Sequence, residues 1–172
     1  MNKKIKLIIA TILTSIALVG CDNANKEVTI EPTQMEQTQE YLNINQGITV
    51  DNSARYEDKE CKYELEIVSV KETKERSDYA TTNPKRVIAL EYKYKNIGHN
   101  PVDVLDWDFT VCGENMEALE LYDGIVPTSD TVNENMVGKG HIAFIANEED
   151  SKVYVNFIPG GVTWEINIEV SE

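Results

Sequence analysis

From about Gly47 to the C-terminus, apolar residues recur at every second position. Tyr63, Leu65 and Ile67 alternate with Glu64 and Glu66, and Ile88, Leu90, Tyr92 and Tyr94 alternate with Ala89, Glu91 and Lys93. Leu105, Trp107, Phe109 and Val111 alternate with Asp106, Asp108 and Thr110; Val162, Trp164, Ile166, Ile168 and Val170 alternate with Thr163, Glu165, Asn167 and Glu169. A period of two gives one apolar and one wet face, the pattern of half-buried antiparallel strands. Val153–Ile158 and His141–Ile145 add two more strands, the second with poorer alternation. Pro159-Gly160-Gly161 reads as a hairpin loop and Asn96-Ile97-Gly98-His99-Asn100-Pro101 as a turn cluster. Glu117–Tyr122 fits either period, with strand favoured because Cys112-Gly113 before it resembles a hairpin end. About seven or eight strands without βαβ spacing predict an all-β, immunoglobulin-like antiparallel β-sandwich over residues 47–172.

The N-terminus follows a different pattern. Lys3, Lys4 and Lys6 precede a 13-residue, mostly apolar run from Leu7 to Val19. Such a run is too short for a stable membrane span, which needs roughly 20 residues, but it suits a secretory signal. Leu18-Val19-Gly20-Cys21 closes the run and resembles the lipobox of bacterial lipoproteins. That resemblance implies residues 1–20 as signal peptide, cleavage before Cys21 and lipid attachment at the Cys21 sulfur. The expected location is the cell membrane, facing the extracytoplasmic side. Two or more acyl chains, at about 0.8 kcal/mol per buried CH₂, would hold the protein there. Residues 21–46, rich in Asn, Gln, Thr and Glu, cannot bury enough surface to offset their ordering and are expected to form a flexible tether.

Within the predicted sandwich, Arg86–Asn96 followed by Ile97-Gly98-His99-Asn100-Pro101-Val102, then Asp108-Phe109-Thr110-Val111 and Gly138-Lys139-Gly140-His141-Ile142-Ala143-Phe144, form a recognisable series. Together they resemble the telokin-like, immunoglobulin-fold extracellular domain found in many bacterial lipoproteins. The sequence departs from that pattern at Cys112, where a polar turn residue is usual, and lacks the Pro-Gly often found before the 141–145 strand. The resemblance implies a fold and a compartment and carries over no catalytic or binding residue.

Charge narrows the function further. The chain has 172 residues, a net charge of −14 and a pI near 4.5, which argues against nucleic-acid binding because phosphates need Lys and Arg to release their counterions. The charge is uneven: residues 47–100 are net neutral, whereas residues 101–172 carry a net −13. Asp103, Asp106 and Asp108 fall at the start of the acidic half and are the candidate partner-facing acids, suited to a basic protein or peptide. They lack the D-x-D-x-D-G spacing of a calcium loop, and His99 and His141 lie in no metal-ligand motif, so no metal or cofactor is expected. No serine sits in GxSxG or SxxK. The expectation is a monomeric, non-catalytic binding module; the alternative is an envelope-polymer hydrolase using paired carboxylates, which form in space rather than in sequence. Lys71–Lys85 and Asp123–Val137 read as long polar loops, where recognition on a sandwich often resides. Cys61 and Cys112 would start and end strands running the same way, so they should lie too far apart to bridge.

Overall fold

A computed structural model describes residues 40–53 and 60–170. The signal segment, Cys21 and the tether up to residue 39 lie outside the described residues. Among the described residues, eight strands follow in order: β1 Ile48–Asp51, β2 Lys62–Thr73, β3 Val87–Asn96, β4 Phe109–Cys112, β5 Thr128–Ser129, β6 Val137–Ile145, β7 Lys152–Phe157 and β8 Val162–Asn167. They form a five-stranded antiparallel sheet ordered β1-β2-β3-β6-β5 and a three-stranded one ordered β4-β7-β8. The all-β sandwich read from the alternation is the observed fold.

The inward residues are those the period of two selects. Tyr63, Leu65, Ile67, Ile88, Leu90, Tyr92 and Tyr94 from one sheet pack with Phe109, Val111, Val155, Phe157, Trp164 and Ile166 from the other. A register shift between Ile67 and Ser69 moves the inward parity of β2 from Ile67 to Val70, while the Ser69 hydroxyl donates to Glu91 Oε2 at 2.8 Å. This bulge lets a long strand keep both halves of its apolar face in the core.

Tyr92 and Tyr94 are accommodated by glycine in the neighbouring strand, where Tyr92 pairs with Gly140 and Tyr94 with Gly138. A Cβ built on Gly140 would stand 2.2 Å from Tyr92 Cζ, and one on Gly138 2.8 Å from Tyr94 Cζ. Each ring therefore lies across β6 in space a larger residue would fill. From there the Tyr92 hydroxyl donates to the Val104 carbonyl at 2.7 Å, and the Tyr94 hydroxyl reaches Ser129 at 2.9 Å and the Asp130 carbonyl. Burial is the main cause that raises both phenol pKa values above the ordinary 10.0.

Three sequence expectations change. Residues 41–46, assigned to the tether, pack on the sandwich: the Leu42 amide donates to Thr163 O at 3.0 Å, and Trp164 Nε1 donates to Gln46 O at 3.0 Å. Leu42 and Ile44 also cover the core, so few apolar residues suffice where a sheet edge is open to receive them. Glu117–Tyr122 forms neither a helix nor a named strand; it runs extended, with isolated bridges from Ala118 to Cys112 and from Leu121 to Phe144. The alternating run from Leu105 to Val111 forms a strand only from Phe109 onward. Cys61 and Cys112 both stand as thiols, Cys61 buried just before β2 and Cys112 at the end of β4.

Candidate functional site

The β3–β4 connection is where the alternation breaks and where the acids separate in role. Leu105 to Asp108 closes into a 3-10 turn, with the Leu105 amide donating to Asp108 Oδ2 at 3.0 Å and the Asp108 amide donating to Leu105 O at 3.0 Å. The carboxylate satisfies a backbone donor that the turn would otherwise leave open. Asp108 is consequently only 6 % exposed. It is not partner-facing, contrary to the sequence expectation, because its charge is spent on its own turn. Asp103 and Asp106 are half-buried, and among the described residues neither forms an ion pair or a side-chain hydrogen bond.

The same turn rotates Trp107 outward. Expected on the core face of a strand, it is 61 % exposed. The Ile158 amide donates to Asp108 O at 2.9 Å, which brings the β7–β8 hairpin alongside, and Ile158 is itself 57 % exposed. Trp107 and Ile158 thus occupy adjoining segments, with Asp103 and Asp106 in the same connection. No Lys, Arg or His occurs between His99 and Lys139, so this stretch of chain supplies no cation of its own. The Asp-Trp-Asp order and that gap in basic residues were the legible signals; that the Trp faces out was not.

The opposite end of the sandwich holds an open cleft of about 740 Å³, bordered by Lys85, Arg86, Glu114, Asn147, Glu148 and Asp150 among others. Several of its polar groups are engaged in hydrogen bonds and ion pairs. Arg86 donates to the carbonyls of Asn147 at 3.0 Å and Asp150 at 2.5 Å and pairs with Glu72 at 3.3 Å. Asp150 accepts from the Glu114 amide at 3.0 Å and from Asn147 Nδ2 at 2.9 Å. Hydrogen bonds from Ser151 hold the Glu114 carboxyl below the usual carboxylate range, the opposite of what a general acid needs. The cleft is a bonded loop junction.

The two long loops also serve structure. Tyr122 and Ile125 pack with Val87 and Ala143 in a small second core, Ala80 lies against it, and Thr81 donates through its amide to Asp123 Oδ2 at 3.0 Å. They brace each other over the five-stranded sheet. Among the described residues, no group of three or more His, Cys, Asp or Glu side chains is placed to hold a metal.

No known protein family matches the chain, and no curated protein resembles it in sequence. Solved structures do resemble it. A candidate lipoprotein, ycdA, from Bacillus subtilis superposes with a TM-score of 0.50 at 20 % identity, over 61 % of this chain and 36 % of that one. The secreted protein MPT63 of Mycobacterium tuberculosis gives 0.54 at 11 % identity, over 75 % of this chain and 98 % of that one. The yjhA protein of Bacillus subtilis gives 0.54 at 8 % identity, over 74 % of this chain and 99 % of that one. The alignment thus spans about a third of ycdA but nearly all of the other two, and at these identities what this chain shares with them is the β-sandwich fold.

Proposed function

We propose that the protein is a lipid-anchored, extracytoplasmic, non-catalytic binding module that receives a basic protein or peptide at the β3–β4 connection. The observation that carries this reading is the outward Trp107, on a segment adjoining that of the exposed Ile158, in a connection whose Asp103 and Asp106 form no ion pair among the described residues. An exposed Trp supplies apolar contact and a cation-attracting ring face, and unpaired carboxylates supply complementary charge. The anchor rests on the lipobox-like Leu18-Val19-Gly20-Cys21, and a candidate lipoprotein and a secreted protein among the structural neighbours support the compartment. In the opposite cleft, the hydrogen-bonded carboxylates of Glu114 and Asp150 support a role without catalysis.

Two experiments test the reading. Cys21→Ala should stop incorporation of labelled fatty acid and release the protein from the membrane fraction; unchanged labelling would remove the anchor. The full chain titrated with an oligolysine peptide containing one aromatic residue should bind at 0.1 M salt and lose binding at 1 M, as the Debye length shrinks from about 10 Å to 3 Å. Asp103→Asn with Asp106→Asn, and separately Trp107→Ala, should weaken that binding while leaving the melting temperature nearly unchanged. Binding indifferent to salt and to these variants would return the acids to a solvated face.

A further inference from the structure

The turn that follows β3 delivers a histidine between two carboxylates from elsewhere in the chain. His99 Nε2 lies 3.4 Å from Glu60 Oε2, and His99 Nδ1 lies 3.2 Å from Glu134 Oε2. A neutral imidazole has one N–H donor, so only the imidazolium donates to both acceptors at once. The placement does not depend on that charge. The Gly98 amide donates to Lys62 O at 3.0 Å, and Asn100 donates to Glu60 O through its amide at 3.3 Å and its Nδ2 at 3.1 Å. A Cβ on Gly98 would stand 2.8 Å from both Glu60 O and Lys62 N, so glycine is what lets the turn approach so closely. On the other flank, the Asn135 amide donates to Asn96 O at 2.9 Å and the Asn96 amide to Met136 O at 3.0 Å. Backbone bonds on both flanks thus bring the ring between the two carboxylates, where its charge can add to their hold.

Among the described residues, the charged groups shown around it are these. Glu134 faces one nitrogen and Glu60 the other; Lys62 Nζ sits 3.3 Å from Glu60 Oε1 and 3.6 Å from Asp51 Oδ2. Lys62 therefore uses one Glu60 oxygen and leaves the other to His99.

We propose that His99 is a proton-operated clasp: its imidazolium fastens the β3–β4 connection to the start of β2 and to the turn before β6, and its neutral form releases one of the two carboxylates. The hydrogen bond and charge of Glu134, followed by the charge of Glu60, raise the His99 pKa above the ordinary 6.5. A raised pKa means the clasp is fully closed below the ordinary value and opens as pH rises through the elevated one. His99 is 70 % exposed along its side chain, so the effect belongs to local opening of the turn and not to global unfolding.

The test is an NMR titration of the full chain with amide exchange on the same samples. His99 should titrate above 6.5, Glu134→Gln and Glu60→Gln should each lower its midpoint, and the double variant should lower it most. Exchange protection of the amides of Gly98, Asn100 and Asn135, corrected for intrinsic rates, should fall about two- to fivefold as pH passes the midpoint, and His99→Gln should abolish that step. A midpoint unmoved by the double variant overturns the clasp, as does a protection step that persists in His99→Gln.

Discussion

At the scale of single residues, three neighbouring aspartates show how little a shared letter implies. Asp108 caps its own turn through the Leu105 amide, whereas Asp103 and Asp106 have no such use. Asp108→Ala should therefore cost about 1 kcal/mol, the usual penalty for losing a capping carboxylate, while Asp106→Asn should be close to neutral in a denaturant melt. A paired role distinct from both belongs to Tyr92 and Tyr94. Burial holds their phenols neutral, while the unfolded chain ionises near the ordinary 10.0. Unfolding then releases protons above pH 10, so stability should be full below that pH and fall as pH rises beyond it. Circular dichroism at increasing pH should show this loss, and Tyr92→Phe with Tyr94→Phe should flatten the alkaline slope even though the variant starts from lower stability.

At the scale of elements, β6 is tuned to β3. Gly138 and Gly140 look like weak points in a strand, yet they are the space in which the Tyr94 and Tyr92 rings lie. Gly140→Ala should destabilise the domain by about 1–3 kcal/mol in a denaturant melt, the cost of overpacking, since Tyr92 Cζ and Thr128 O would stand 2.2 and 2.7 Å from the new methyl. The β3–β4 connection shows the reverse case, where a pattern of period two forms no strand for half its length. Leu105, Trp107, Phe109 and Val111 alternate without interruption, but Asp108 can satisfy a backbone donor locally and the chain takes the turn. An Asp in the run was the available hint, because its short carboxylate competes with ladder hydrogen bonds.

At the scale of the whole molecule, the folded unit reaches back to residue 40, before the first strand. Leu42 joins the edge of β8 beside Trp164, and Asn45 donates to Ile67 O at 3.1 Å, so one short segment touches both sheets. A fragment of residues 40–172 should consequently melt cooperatively and exceed a 47–172 fragment in stability by about 1–3 kcal/mol, from the apolar area of Leu42 and Ile44 and the Trp164 indole bond. Equal stability of the two fragments would show that the segment merely rests on the surface. The acidic second half of the sequence does not become an acidic half of the molecule. Lys85, Lys71 and His99 of the first half pair with Glu148, Glu169 and Glu134 of the second, because the antiparallel β3–β6 pairing and a parallel bridge from Lys71 to Glu169 interleave the two.

The alternation of apolar and polar residues by itself determined the fold class and most of the core, since a period of two leaves an antiparallel chain one face to bury. The Asn, Gly and Pro residues of Asn96–Pro101 marked the turn there, and the expected strand ends set Cys61 and Cys112 too far apart to bridge, in keeping with the two free thiols. The short charged-then-apolar N-terminus and the residues before Cys21 carry the expectation of an anchor without help from the fold. What the tertiary structure alone decided were the features set by contacts across long sequence distances. Trp107 faces solvent because Asp108 closes a turn and Ile158 seals the backbone behind it; His99 meets Glu60 and Glu134 because three segments converge at one end of the five-stranded sheet. Residues 41–46 join the domain because β8 offers them an open edge. None of these is local, and a periodicity reports only which face a residue prefers, not which distant atom will be there to meet it.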